Sequence, residues 1–493
     1  MIVQHNVFSL SLKYKEVTGN ARTKELERSS NMSGMIGLGI ISLVIYVAVI
    51  LILNVGLKRR ASEAMMWSYL LIVLVASIFG KKSLTTVFSK SFSYGIHAEV
   101  VYAAMAFVFM SYLMEKTGVI LRLVNILNSF IGRFTGGSGY VSTIGSALFG
   151  MVSGSGSGNA AAIGSITIPW MMRTGWSQER ATLICAGNAG MGMIFPPSTS
   201  MLLLLGMESI EKELPSGTLY VGLLGAGFII LAYRLAVIYY FAKKDGLKPI
   251  PKEQILPFGQ ALKENGSSLL IFLGVIIPLL ATMGPTGAWV KATMNASFPK
   301  AFKSISIVFW IPIVMSIFTI LEGWKHLPHA ISGWMSMIRE SIANYADVGM
   351  LLFTAFAASN ILNQLGMTNE VKNIFTHLGT YSPFLVILVI AVLITMMDGP
   401  FSGTATTSAL GAAVYAALRS IGLPPVVCCV AFLNLISNEG AIPPNAAPLY
   451  IASGISSLED PSKIFRPIMV FYVIPTMLIA ILIMARVIPV IGA

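Results

Sequence analysis

The sequence predicts an all-α polytopic membrane protein, with about ten transmembrane helices plus two re-entrant helical hairpins arranged as an inverted repeat. Three observations lead there. Hydrophobic residues fill 55% of the 493 positions and charged residues only 11%, against roughly 25% charged in a soluble domain, so lipid must be the main solvent. Residues 155–207 match 402–454 without a gap, at an offset of 247. The matches fall on helix-breaking positions: Ser155-Gly156-Ser157 on Ser402-Gly403-Thr404, Ala162-Ile163-Gly164 on Ala409-Leu410-Gly411, Gly175 on Gly422 and Pro196-Pro197 on Pro443-Pro444, with Leu202 on Leu449. Paired interruptions in corresponding apolar segments point to a binding site.

Composition excludes several classes. The excess of 33 Lys and Arg over 21 Asp and Glu reads as positive-inside loops rather than a nucleic-acid surface. Cys185, Cys428 and Cys429 sit in apolar stretches without metal-ligand spacing, which implies packing and no disulfide framework. The histidines are dispersed except for His326 and His329, which lie in an interfacial stretch and read as solvated side chains. No Gly-Lys-Ser/Thr phosphate loop is present, which argues against a pump hydrolysing ATP in this chain, and no catalytic constellation or cofactor motif stands out.

Residues 1–35 form a polar N-terminal tail without the apolar core of a secretory signal, and Met32 and Met35 are alternative start sites. The first repeat covers 36–242, a cytoplasmic linker 243–267, and the second repeat 268–493. Apolar runs predict spans near 36–57, 65–80, 98–114, 181–207 and 219–242, then near 268–284, 304–322, 347–364, 425–453 and 466–490. Five spans per half is an odd number, which inverts one half relative to the other.

Each half also contains a stretch too long for one span and too rich in glycine for a continuous helix. The first hairpin, 136–174, lies in a segment with no charge between Arg133 and Arg173; the second, 382–420, surrounds Gly399–Thr404. An arm of about 15–20 residues reaches roughly 22–30 Å as helix, enough to reach the bilayer midplane and return. The other arrangement, two ordinary spans joined by a surface loop, fits less well. A surface loop normally carries charge, and these tips carry small hydroxyls and glycine.

Basic residues set the orientation. With the N terminus outside, Lys58-Arg59-Arg60, Lys243, Lys244, Lys248, Lys252 and Arg339 share one side with Arg133, Arg173, Arg180 and Arg466. The first hairpin then opens to the cytoplasm and the second to the opposite face, with Lys81, Lys82, Lys291, Lys300 and Lys303 against the trend. Val119–Leu127, Val371–Phe375 and residues 323–345 are amphipathic, too polar to span, and predict helices along the membrane surface, either as arms or as interfacial anchors.

Broken helices offer free N–H groups at a positive dipole end and free carbonyls at a negative one, so they bind ions in lipid without a charge of their own. The tips supply Ser153, Ser155, Ser157 and Asn159 in one half and Ser402, Thr404, Thr406 and Thr407 in the other. Pro196-Pro197 and Pro443-Pro444 break the spans that follow and free carbonyls for a cation. Asn188, Ser198, Asn438 and Asn445 flank those breaks and are candidate substrate contacts, with Asn434 nearby. Asp398 is the sole carboxylate between Glu370 and Glu439; it reads as a cation ligand, a proton carrier or a backbone-bonded structural acid. Glu439 is the second carboxylate candidate. No membrane arginine offers itself to a substrate carboxylate, and helix N-termini at Asn159 and Thr404 are the expected substitute.

The run from Phe149 to Ser157, followed by Ala160-Ala161-Ala162-Ile163-Gly164, Ile168-Pro169, Gly175 and Pro196-Pro197-Ser198, resembles the hairpin signature of the large membrane subunit of tripartite ATP-independent periplasmic transporters. The likeness covers roughly 90–457. It implies an elevator-type secondary transporter of the bacterial inner membrane, importing a small organic anion with Na⁺ as the coupling ion and working with a small membrane subunit and a periplasmic substrate-binding protein. It also implies cation liganding at Ser155, Gly156, Ser157, Asn159 and Pro196, and at Ser402, Gly403, Thr404, Thr406 and Pro443. A stand-alone sodium- or proton-coupled carboxylate carrier of the same superfamily is the alternative. A channel would need charged rings or carbonyl filters along a continuous polar path. An intramembrane enzyme would need a nucleophile, base or metal beside Asp398.

Overall fold

The computed structural model describes residues 37–153, 155–251, 255–282, 284–297, 307–399, 403–442 and 447–493, and every regular element among them is helical. The first half opens with α1 (Leu38–Leu51), α2 (Ala61–Ile78), α3 (Leu84–His97) and α4 (Glu99–Lys116). An amphipathic helix α5 (Val119–Ile131) leads to the paired helices α6 (Gly137–Ser153) and α7 (Gly156–Arg173). A broken helix follows, made of α8 (Gln178–Asn188), a 3₁₀ turn at Ala189–Met193 and α9 (Thr199–Leu205), and then the long α10 (Ser216–Lys244).

The second half runs through α11 (Phe258–Asn265), α12 (Leu273–Thr282), α13 (Gly284–Ser297), α14 (Ile307–Gly323) and α15 (Ile331–Gln364). It continues with the amphipathic α16 (Met367–Tyr381), the pair α17 (Pro383–Met397) and α18 (Gly403–Ser420), the broken pair α19 (Pro425–Ile436) and α20 (Ala447–Ser456), and α21 (Ile474–Met484). The offset of 247 reappears in the backbone. It carries the first residue of α7 onto that of α18 and the first residue of α8 onto that of α19. Gly175 and Gly422, at φ 98° and 82°, end the paired helices in the left-handed conformation that glycine adopts without strain.

Among the described residues, four helical segments are long and apolar enough to cross a membrane: Ala61–Ile78, Ser216–Lys244, Phe258–Thr282 and Pro461–Met484. The count rises to six if the bent pairs Leu84–His97 with Val101–Lys116 and Val348–Gln364 with Met367–Thr380 are single spans. The other apolar stretches are divided into shorter helices, below the roughly 20 residues of a perpendicular span. One expectation changes. Residues 323–345 do not form a separate surface helix, because α15 runs unbroken from Ile331 into the following apolar segment. No proline interrupts it, and the polar Glu340 finds partners on α4, accepting from Tyr112 at 2.9 Å and Lys116 at 2.8 Å. Helix α3, amphipathic and aromatic-rich, escaped the sequence reading; Phe88 and Phe92 stack on its surface with centroids 5.5 Å apart.

The two amphipathic helices are tied down at equivalent positions by opposite charges. Arg122, one turn into α5, pairs with Glu322 on α14 at 3.5 Å, and Ser267 donates to the same carboxylate at 2.6 Å. Glu370, one turn into α16, accepts from the backbone N–H groups of Gly37, Gly39 and Ile40 at 2.8–3.1 Å. It thereby caps the start of α1, whose N-cap residue Gly37 has no side chain to do so. Glu370→Gln is expected to lower stability by roughly 1–2 kcal/mol, since an amide offers one weaker acceptor in place of two charged oxygens. Thermal unfolding in detergent would read this as a modest drop in midpoint; an unchanged midpoint would mean that solvent caps α1 equally well.

Packing between the halves is reciprocal. Helix α7 packs on α20, and α18 packs on α9, so each hairpin's second helix rests on the other half's broken helix. Within the first half, a methyl group at Gly192 would lie 2.0 Å from the Gly150 carbonyl carbon, so α6 crosses the 3₁₀ turn at direct backbone contact. A methyl at Gly190 would fall 2.4 Å from Ser437 O and 2.6 Å from Glu439 O. The two helix breaks therefore cross one another at the middle of the molecule.

Candidate functional site

The site is built where those breaks cross and where the tips of the two paired helices converge. In the first half, Ser155 caps α7, its Oγ accepting from Gly158 N at 3.1 Å. Gly156 is buried at the first position of α7, and Ser157 is half-buried beside it. Asn159 is fully buried and bridges two elements, donating from Nδ2 to Ser146 O at 2.9 Å and to Ala189 O at 2.8 Å. Both carbonyls can only accept, so the amide nitrogen must face them and Oδ1 is left with no donor. Asn188 follows the same rule: Nδ2 donates to Thr143 Oγ1 at 3.1 Å and Ile184 O at 2.8 Å, and its Oδ1 is unpaired.

Ser198 is committed locally. Its Oγ donates to Met193 O at 3.0 Å and accepts from Met201 N at 3.2 Å, closing the break and capping α9. Pro196 lines an apolar cavity of about 410 Å³ with Met151, Phe195, Tyr220 and Phe228.

In the second half, Gly403 is buried at the first position of α18 and Thr404 is half-buried next to it, its carbonyl accepting from Ser408 Oγ at 2.8 Å. Thr406, the equivalent of Asn159, is fully buried and its Oγ1 has no partner. Asp398 ends α17 with its carboxylate buried and both oxygens unpaired. Asn438 donates to Val473 O at 3.4 Å and Asn434 to Thr476 O at 3.5 Å, each leaving Oδ1 unpaired. Ser402, Pro443 and Asn445 lie outside the described residues.

The structure adds two residues. Glu439, which the sequence ranked second among the carboxylates, sits at the crossing itself. Gly403 and Gly156 both lie against its carboxylate, and the buried Asp398 is a like-charged neighbour. Arg234 on α10 is wholly buried: it donates to Gly187 O and, at 2.9 Å, to Thr476 Oγ1, with its guanidinium 4.5 Å from the Tyr472 ring centroid. A signal for it existed, since Arg234 is the sole charge between Glu213 and Lys243.

The unpaired buried side-chain atoms of the paired and broken helices are all oxygens: those of Asn159, Asn188, Thr395, Asp398, Thr406, Asn434, Asn438 and Glu439. Hard cations take such oxygen sets as ligands. Among the described residues no His, Cys, Asp and Glu group suits a resident metal ion.

Discontinuous helices meeting at an oxygen-lined centre are also the fold of a known membrane protein. The YdaH transporter of Alcanivorax borkumensis superposes with a TM-score of 0.61 at 12% identity, covering 88% of this chain and 98% of that one. The pattern of the family described as tripartite ATP-independent periplasmic transporter, DctM component, matches residues 13–490, and the chain belongs to that family of permeases. It is 23% identical over 359 residues to the isethionate permease of Oleidesulfovibrio alaskensis, covering 72% of this chain. The chain spans about half of that relative, 52% of its length. A sialic acid large permease of Vibrio cholerae is 22% identical over 365 residues, which cover 74% of this chain and 79% of the relative.

Proposed function

We propose that this chain is the large permease subunit of a tripartite system that imports a small organic anion across a bacterial inner membrane by Na⁺ symport. A small membrane subunit and a periplasmic substrate-binding protein would complete the system. The observation that carries the reading is the oxygen-only set of unpaired atoms, repeated at the equivalent positions Asn159 and Thr406. A cation at either position satisfies an acceptor that no protein donor reaches, and it draws a hairpin tip against the break beside it. Asp398, with both carboxylate oxygens buried and unpaired, is a further oxygen donor in the second half. Asn188 and Asn438, each with an unpaired buried Oδ1 beside a helix break, are the substrate contacts in this scheme, while Ser198 holds its break closed.

Proteoliposomes containing this chain and its small partner subunit, supplied with the binding protein, would test the proposal. Uptake of labelled isethionate, sialic acid or succinate should rise when an inward Na⁺ gradient is imposed and fall to background when choline replaces Na⁺. Uptake of these acids that ignores the Na⁺ gradient would sink the symport assignment, and steady conductance without any gradient dependence would favour a channel.

A further inference from the structure

Helix N-termini at Asn159 and Thr404, in the first turns of α7 and α18, are the seat expected from the sequence for a substrate carboxylate, and the inference that follows rests on the carrier reading. In the structure this place is filled by the chain itself. Glu439 lies in the turn after α19, 6% exposed. Gly156 and Gly403, the first residues of two long helices and equivalents in the repeat, both lie against its carboxylate. A methyl group at Gly403 would stand 3.0 Å from Glu439 Oε2, and one at Gly156 would stand 3.2 Å from Cδ, so the two glycines bring both helix ends close to the carboxylate. Oε2 nonetheless forms no hydrogen bond of ordinary geometry. Among the described residues no lysine or arginine acts on the carboxylate.

The charge balance explains the arrangement. A helix N-terminus behaves as roughly half a positive charge, so two of them meeting in a dry core need about one negative charge between them. Without a resident anion, the unloaded protein would bring two like-signed helix ends together. A mobile substrate carboxylate would meet the same demand in the loaded protein, and one seat holds one carboxylate.

We propose that Glu439 is a built-in stand-in for the substrate's carboxylate: it holds the two hairpin tips together while the carrier is empty and gives up its seat when a free carboxylate arrives. The position of Glu439 suits such an exchange, because it sits on a non-helical turn rather than on a packed helix, and one of its oxygens is unpaired.

Chemical rescue tests this on the purified full-length chain without any transport substrate. Glu439→Ala vacates the seat, and Glu439→Gln fills it with a neutral amide of the same size. In sodium chloride, E439A should melt several degrees below the unaltered protein. Replacing chloride by sodium formate or acetate at constant ionic strength should return most of that loss in E439A, and should shift neither the unaltered protein nor E439Q by more than a degree or so. Glu439→Ser repeats the titration with a second small side chain in case E439A does not survive purification. Equal responses of all variants to formate and acetate, or an E439A protein that melts normally and ignores both, would overturn the proposal. Because neither a Na⁺ gradient nor flux is measured, this result stands or falls separately from the transport assay above.

Discussion

Gly192→Ala is expected to leave little folded protein. The added carbon would sit 2.0 Å from the carbonyl carbon and 2.2 Å from the oxygen of Gly150, both backbone atoms that no rotamer change can move. Relief requires α6 to lift off the 3₁₀ turn, and that separation would also stretch the Asn159 bridge between Ser146 O and Ala189 O. Overpacking of well-packed interiors typically costs roughly 1–3 kcal/mol and more where backbone must shift, a large share of the ~5–15 kcal/mol that holds an ordinary domain together. Gly454→Ala is the matched control, because nothing lies within 4 Å of the added methyl at that position in α20. Size-exclusion profiles of the two variants should differ sharply, with a monodisperse peak for Gly454→Ala. A normal peak for Gly192→Ala would show that the crossing is looser than its glycines imply.

Thr406→Val should separate cation binding from folding. The Thr406 hydroxyl is buried and has no protein partner, so replacing it with a methyl group breaks no hydrogen bond and removes an unsatisfied polar atom. Thermal stability without Na⁺ should therefore hold or rise slightly. If the oxygen ligates Na⁺, half-saturation for Na⁺ should increase by roughly tenfold, the equivalent of ~1.4 kcal/mol. Asn159→Ala contrasts with it, since that change strips two carbonyls of their donor and should lower stability and Na⁺ affinity together. Na⁺ activation curves and melting midpoints for both variants decide the matter. A Thr406→Val protein with an unaltered Na⁺ curve would remove α18 from the cation site.

The helical class and the family were legible because they rest on local chemistry: lipid-solvated composition, and glycines and prolines whose backbone effects do not depend on distant contacts. The limits of α7 and α18 were legible for the same reason, set by Gly156 and Gly403 at one end and by Gly175 and Gly422 at the other. Glu439 shows where such reasoning stops. Its repeat partner is Gly192, so nothing in the offset marks it, and its importance comes from two helix ends that are remote in sequence and converge only in the fold. Ser155 and Ser198 show the reverse case, where hydroxyls of the expected type spend their bonding capacity on capping. Arg234 was overlooked because a lone charge in a long apolar run looks like the end of a span, whereas its guanidinium is held inside by Gly187 and Thr476.

The reciprocal packing of α7 on α20 and of α18 on α9 has a consequence for biogenesis. When α7 emerges from the ribosome its eventual neighbour, Ala447–Ser456, has not been made. At roughly 5–20 residues per second, synthesis of the nearly three hundred intervening residues takes on the order of 15–60 seconds. Throughout that interval the glycine- and serine-rich face of the first hairpin has no mate in the membrane. A truncated chain ending before α19 should therefore be degraded rapidly in cells even though its first half is complete, and co-expression of the missing segment from α19 onward as a separate polypeptide should protect it.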